Sequence, residues 1–287
     1  MGAGLSNTFT VDRDNQLGLG DLPESCMAEV LVYLDPSEIC GAARLNRSFR
    51  GAATADLVWE SKLPENYVYL LEKAIDCDEE TKKMTKKEIY ARLSHPNPLD
   101  GGIKVFWIDR CSGGICMSIS SKALHITGID DRRYWTYIPS VESRFQTVAY
   151  LQQIWWVEVA GKMDFCFPAG IYSVFFKLHL GRMAKRLGRR VCNCEHIHGW
   201  EKKPVKFQVS TSCGQKDLKR SFLDEPGKWK YYHGGDFVVN DSNISTTVMF
   251  SLIQIDCTHT KGGLCVDSVL IYPKGAGAGN PVTAFQN

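Results

Sequence analysis

The spacing of apolar residues changes near residue 100, and that change constrains the fold more than any other feature. Upstream, apolar positions recur every three to four residues, the period of one helix face. Downstream they alternate, the period of a strand with one face buried. No single layer type satisfies both patterns. The chain therefore predicts a small helical unit followed by a β unit.

The helical part carries its own punctuation. In Asp21-Leu22-Pro23-Glu24, Asp21 can cap a helix and Glu24 can reach back to it. Met27, Val30, Leu31 and Leu34 then form one face. Asp35-Pro36-Ser37-Glu38 repeats the start signal with Pro36 at the first helical position, and Ile39, Ala42 and Ala43 continue it. Asn46 opens a third helix with Phe49, Ala52 and Ala53. Asp56 opens a fourth with Leu57, Trp59 and Leu63. Four helices this short bury little alone, so a packed partner is expected.

A charged stretch from Cys77 to Lys87 reads as a solvated helix or loop, and Thr85 to Glu88 as another capping box, opening a helix with Ile89, Tyr90 and Leu93. His95-Pro96-Asn97-Pro98 and Gly101-Gly102 break the chain. Strand signals follow: Ile103 to Ile108, Ile115 to Ile119, the Trp155 to Val159 alternation, and the runs around Phe176, Phe207 and Phe250. Cys265 to Tyr272 is the last. The expected architecture is a disordered segment over 1–19, a small all-α bundle over 20–65, a helical connector over 66–102, an antiparallel β-sandwich of jelly-roll type over 103–273, and a disordered tail over 274–287.

Composition removes several function classes. At 287 residues, 44% hydrophobic and 23% charged, the chain is globular rather than disordered. Its 34 Lys and Arg against 32 Asp and Glu leave a net charge of +2, too small for a protein built to wrap nucleic acid. No run of about 18 apolar residues suggests a membrane span. The opening Met-Gly-Ala-Gly-Leu-Ser lacks the charged head and apolar core of a secretory signal. A reducing compartment, cytoplasm and nucleus, is expected, with the 11 cysteines as free thiols.

Other constellations point less clearly. Cys192, Cys194, His196 and His198 offer zinc-ligand chemistry, with Cys257 and His259 as supplements. Their single-residue spacing is tight for four ligands of one ion, so no metal is assigned. Cys257 and His259 could pair as thiol and base, but no orienting group or oxyanion hole accompanies them. No phosphate-binding glycine loop occurs, and no cofactor is expected. Arg182, Lys185, Arg186, Arg189 and Arg190 form the one basic cluster, read as a solvated loop ahead of nuclear import or an acidic partner. Gly2, with Ser6 four residues on, fits an N-myristoylation acceptor. One such chain without a polybasic second signal gives no stable membrane association.

Taken together, Leu22-Pro23, Val30-Leu31, Leu34-Asp35-Pro36, Ile39, Ala43 to Arg47 and Trp59 resemble an F-box over the motif's whole length. The resemblance implies docking to a Skp-type adaptor, and through it to a cullin-RING ubiquitin ligase. Leu22, Pro23, Val30, Leu31, Leu34, Pro36 and Ile39 are placed at or near that interface. The alternative is that these residues make only the bundle's own core.

The second unit resembles the phloem protein two family of Nictaba-like plant lectins. Ser121 to Thr127, Asp130 to Tyr137, Ala149 to Leu151, Trp155 to Lys162, Gly170 to Tyr172, Gly227 to Trp229 and Val266 to Val269 carry the likeness. It implies binding of N-acetylglucosamine-containing glycans, with rings stacked on aromatics and hydroxyls held by carboxylates or amides. Trp135, Tyr137, Asp130 and Asp131 are the residues this chain offers. Gly128 stands where the family's lectins tend to have a tryptophan, and Thr247 and Gln254 where they offer acidic residues. Trp135 and Tyr137 could equally be half-buried sheet residues. The combined expectation is a non-catalytic receptor subunit of a ubiquitin ligase that recruits a protein or glycoprotein target, with a lectin acting mainly through glycan recognition as the alternative.

Overall fold

The computed structural model describes residues 22–75, 83–186 and 189–274. They divide into two compact units, the first ending at Lys62 and the second beginning at Leu63.

The first unit is four short helices: α1 (Glu24–Leu31), α2 (Pro36–Ala42), α3 (Arg47–Ala52) and α4 (Asp56–Glu60). Asp35 caps α2 and completes a capping box with Glu38, whose carboxylate accepts the Asp35 N–H at 2.9 Å. Asn46 caps α3 by accepting the Phe49 N–H at 2.9 Å. Two starts differ from expectation. Pro23 is the N-cap of α1 and supplies no side-chain acceptor, while Asp21 lies outside the described residues. Ala55, not Asp56, precedes α4. Met27, Ala28, Leu31, Ile39, Ala52, Ala53, Val58 and Trp59 are buried, and Trp59 donates its indole N–H to the Ala53 carbonyl at 2.8 Å.

The second unit opens with α5 (Tyr67–Ala74) and α6 (Lys86–Leu93). The Thr85–Glu88 capping box at the start of α6 is present. These helices are not a free connector. Asn66, next to α5, donates to the carbonyls of Cys166 at 2.8 Å and Ser242 at 2.9 Å. Tyr69 meets Phe165 edge-on at 5.4 Å. The Pro-rich break before residue 102 is likewise a strand, β1 (Asn97–Leu99), paired with β2 (Lys104–Ile108). Its Pro98 is tolerated because β1 is an edge.

The strands that follow are β3 (Ile115–Ser120), β4 (His125–Ile126), β5 (Trp135–Pro139), β6 (Thr147–Leu151), β7 (Val157–Phe165), β8 (Gly170–Leu180), β9 (Arg182–Arg186), β10 (Arg189–Asn193), β11 (Val205–Thr211), β12 (Lys216–Ser221), β13 (Trp229–Val239), β14 (Thr246–Gln254) and β15 (Leu264–Pro273). All ladder pairs are antiparallel. One eight-stranded sheet runs β1-β2-β3-β15, with β6 and β5 continuing on the same edge of β15 and β8 then β13 on its other edge. A five-stranded sheet runs β12-β11-β14-β7-β4. The two face each other across an apolar layer in which Phe176 of the first lies 5.3 Å from Phe207 and 6.2 Å from Phe250 of the second. This is an antiparallel β-sandwich. The larger sheet also curls into a half-barrel. Small clusters therefore cover its other face: Cys116, Leu270 and Tyr272 in one, Ile138, Val148, Tyr150 and Cys265 in the other.

The basic cluster from Arg182 to Arg190, expected as a solvated loop, instead falls on two paired strands, β9 and β10. The long strand β13 escaped the alternation count because Gly234-Gly235 interrupts it. The register slips there as a bulge and the strand continues. A side chain at Gly234 would strike the Phe176 ring at 2.9 Å, so the close approach requires glycine.

Candidate functional site

In the helical unit, the seven residues assigned to a partner interface separate by exposure. Leu22, Pro23 and Val30 are exposed, Val30 at 51%. Leu34 and Pro36 are half-buried. Leu31 and Ile39 are fully buried, so they serve the unit's core. The helical period explains the split: Met27, Ala28 and Leu31 face inward on α1, and Val30 faces out. Tyr33 at 89% and Leu45 at 71% also stand exposed. Periodicity did not single these two out, because a lone apolar residue off the buried face looks like ordinary surface.

In the β unit, the predicted glycan residues are only partly brought together. Trp135 is 1% exposed and donates its indole N–H to the Thr127 carbonyl at 3.1 Å. Its ring faces are covered by the protein, so it cannot serve as an open stacking platform as placed. Tyr137 is 40% exposed. Burial, and then the nearby Asp130 carboxylate, raise its phenol above the ordinary value. The Lys122 ammonium lies 5.9 Å from its ring centre. Asp131 is engaged elsewhere: it accepts from the Arg133 side chain at 2.6 Å and from its backbone N–H at 2.9 Å, and those bonds lower its carboxyl. Tyr137, Asp130 and Lys122 thus form the surface patch that survives.

Gly128 has φ of +79°, a conformation in which a side chain is strained, and a Cβ there would sit 3.3 Å from the Tyr134 ring. A tryptophan at this position would require a different local backbone. Thr247 and Gln254 do not share a site, because they occupy opposite ends of β14, seven residues or about 23 Å apart at strand rise. Thr247 donates to the Asp164 carboxylate. Gln254 is buried, donating to the Lys203 carbonyl at 3.2 Å and accepting the Asp256 N–H at 2.9 Å.

The Cys192–His198 segment holds two sulfurs 3.5 Å apart, Cys192 and Cys194. Burial pushes the Cys192 thiol up to about 11, with the Cys194 thiol adding to it. His198 bonds the His196 carbonyl at 2.9 Å and Thr260 at 3.2 Å, and His259 bonds the Gly199 carbonyl at 3.0 Å. Among the described residues no group of three or more His, Cys, Asp or Glu could hold a metal ion. All ten described cysteines are free thiols. Gly2 lies outside the described residues.

The helical unit with its exposed leucine–proline edge and the antiparallel sandwich that follows it are the two parts of an F-box protein with a Phloem protein 2 domain. Residues 19–63 match the F-box-like family and residues 114–273 the Phloem protein 2 family, and the chain belongs to the latter. It is 56% identical over 281 residues to F-box protein PP2-A13 of Arabidopsis thaliana, covering 96% of this chain and 97% of the relative. It is 57% identical over 257 residues to F-box protein PP2-A12 of the same plant, covering 89% and 88%. A more distant relative, F-box protein PP2-B15, is 26% identical, covering 88% of this chain and 96% of its own.

Proposed function

We propose that this chain is a substrate-receptor subunit of an SCF-type ubiquitin ligase. Its helical unit docks a Skp-type adaptor, and its β-sandwich recruits a protein or glycoprotein for ubiquitination. The observation that carries the reading is the exposed Leu22-Pro23 edge with Val30, on a unit that matches the F-box-like family. Apolar groups left in water on a small bundle suit a helix-on-helix interface. The subunit performs no bond chemistry of its own in this role. It raises the effective concentration of the target near the conjugating enzyme. The same reading places the chain in cytoplasm and nucleus.

Co-purification of the full chain with a Skp-type adaptor tests it. Wild type should co-elute as a stoichiometric complex, and Leu22→Asp with Val30→Asp should not. A wild-type chain that fails to bind the adaptor removes the proposal. A second reading, glycan recognition as the main activity, draws on the Tyr137, Asp130 and Lys122 patch. A glycan array with and without Tyr137→Ala tests that reading, and a blank array for chitin oligomers and N-glycans would count against it.

A further inference from the structure

The outer face of the five-stranded sheet carries a cleft of about 410 Å³, lined by Lys203, Lys206, Arg220, Ile253, Ile255 and Asp256 among others. Strand alternation decides which side chains reach it. Phe207 and Leu252 are fully buried in the sandwich, so their neighbours Lys206 and Ile253 point to the opposite face. Lys206 of β11 stands directly opposite Arg220 of β12 on one side and Ile253 of β14 on the other. The three form one row across the sheet. Lys203 joins them from the approach to β11, where its carbonyl accepts from the Gln254 side chain at 3.2 Å. Ile255, two residues beyond Ile253, is 58% exposed.

The charges in this row oppose one another. Like charges directly across an antiparallel pair are destabilising, because their Cβ atoms sit only about 5 Å apart. Elsewhere on β12 a cation has a carboxylate beside it: Lys219 pairs with Asp217 at 3.3 Å. Among the described residues Lys203, Lys206 and Arg220 form no such pair. Three positive groups in the lining meet one negative group, Asp256. That carboxylate is committed to its own turn, where it accepts the Thr258 N–H at 2.8 Å, and the bonds from Thr258 lower its carboxyl. The cleft keeps a cationic surplus on a chain whose net charge is only +2.

Surplus charge selects an anion, and the rest of the lining selects its kind. Carboxylate and phosphoryl oxygens accept charge-assisted hydrogen bonds from ammonium and guanidinium groups. Ile253 and Ile255 beside those cations call for an apolar group as well, which a small inorganic anion lacks. Nucleic acid fits less well. The described lining holds no aromatic ring on which a base could stack, and Asp256 repels a continuous polyanion. A polypeptide segment offers anionic and apolar side chains together.

We propose that this cleft binds an acidic polypeptide segment of the recruited target, with its carboxylate or phosphoryl oxygens on Lys203, Lys206 and Arg220 and an apolar side chain against Ile253 and Ile255. This binding rests on the target-recruiting role given to the β-sandwich above, and it supplies the chemistry by which a target would be selected.

Fluorescence anisotropy with the full chain tests it, using a labelled peptide of glutamates flanking a central isoleucine. A phosphoserine peptide, a glutamine peptide and a single-stranded RNA of equal length are the comparators. Saturable binding of the glutamate or the phosphoserine peptide is expected, and the tighter of the two identifies the anionic group. The glutamine peptide should bind about tenfold more weakly or worse, the size of one lost charge-assisted hydrogen bond. Lys206→Gln with Arg220→Gln should weaken the anionic peptide by a similar factor. The melting temperature of that double variant should equal or exceed wild type, because two opposed like charges are gone. Ile255→Ser should also weaken binding. The site is overturned if neither anionic peptide binds, if the glutamine peptide binds equally well, or if the double variant binds like wild type. RNA bound more tightly than both anionic peptides overturns it too. Adaptor co-elution on the same samples separates the two failures. A chain that binds the adaptor but no peptide loses this site and keeps the receptor role, whereas one that binds the peptide but no adaptor keeps the site and loses that role.

Discussion

Trp135 turns its indole N–H to the carbonyl of Thr127, 3.1 Å away across the loop that carries Gly128. That bond satisfies the ring's only polar atom inside the protein and fixes Trp135 as a core residue. Trp135→Ala should therefore cost about 3–5 kcal/mol of stability, the range for deleting a buried aromatic. Tyr137→Ala, at a 40% exposed position two residues along the same strand, should cost about 1 kcal/mol or less. Urea denaturation followed by far-ultraviolet dichroism measures both. Equal effects would show that Trp135 is not the buried member of the pair.

Val30 and Leu31 are neighbours on α1 with opposite surroundings, one 51% exposed and the other fully buried. A charge at Val30 stays in water, so Val30→Asp should leave the melting temperature within about a degree or two of wild type. It should still abolish adaptor co-elution. Leu31→Asp puts a carboxylate in an apolar core and should melt the helical unit, a loss of roughly 4 kcal/mol or more. Thermal melts run beside adaptor pull-downs separate the two. Wild-type adaptor binding by Val30→Asp would remove that residue from the interface.

What the sequence revealed follows from the reach of each signal. Caps and periods are local, so Asp35, Asn46 and Thr85 marked helix starts correctly. The alternation around Phe176, Phe207 and Phe250 identified three strands, because burial on one face imposes period two directly; that they face one another is visible only in the structure. The β13 strand was hidden because a bulge at Gly234-Gly235 interrupts its alternation. The role of Trp135 was hidden because a buried and an exposed tryptophan look alike in a strand pattern; only the Thr127 carbonyl distinguishes them. The buried pairing of Lys177 with Asp267 was least legible of all, because the two residues lie on different strands and no spacing rule links them.

Asp236 gives a pH dependence with a definite sign. Burial raises its carboxyl, but hydrogen bonds from Lys274, Ser173 and His233, each at 2.7 Å, outweigh burial and hold it at about 2. An unfolded aspartate titrates near 3.9. The folded value is the lower one, so this group's contribution is fully present above about pH 4 and disappears as pH falls through about 2. Its size should be about 2 kcal/mol before screening at this partly exposed site. Asp236→Asn should be less stable than wild type at pH 7, with the gap closing between about pH 4 and 2. Denaturation midpoints across that range provide the measurement, and a pH-independent gap would rule out titration of Asp236 as its source.

Lys261 carries the last prediction. Its side chain is fully buried, and its ammonium donates to the carbonyls of Trp155 at 2.6 Å and His259 at 3.2 Å and to that of Asp256. Burial lowers its affinity for the proton, with Asp256 partly restoring it. Three carbonyls converging on one cation explain why a lysine sits where a hydrophobe would normally pack. The contact also ties the turn after β14 to the entry of β7. Lys261→Met keeps the stem's bulk but leaves those carbonyls without a donor, each at a cost of roughly 1–3 kcal/mol. The variant should lose about 3 kcal/mol or more in denaturation, and amides from 255 to 261 should exchange faster while β8 and β15 keep their protection. Lys261→Arg should not restore stability, because a planar guanidinium does not fit a space shaped for a compact ammonium. A Lys261→Met chain with the wild-type midpoint and unchanged exchange over 255–261 would show that the three carbonyls do not depend on this lysine.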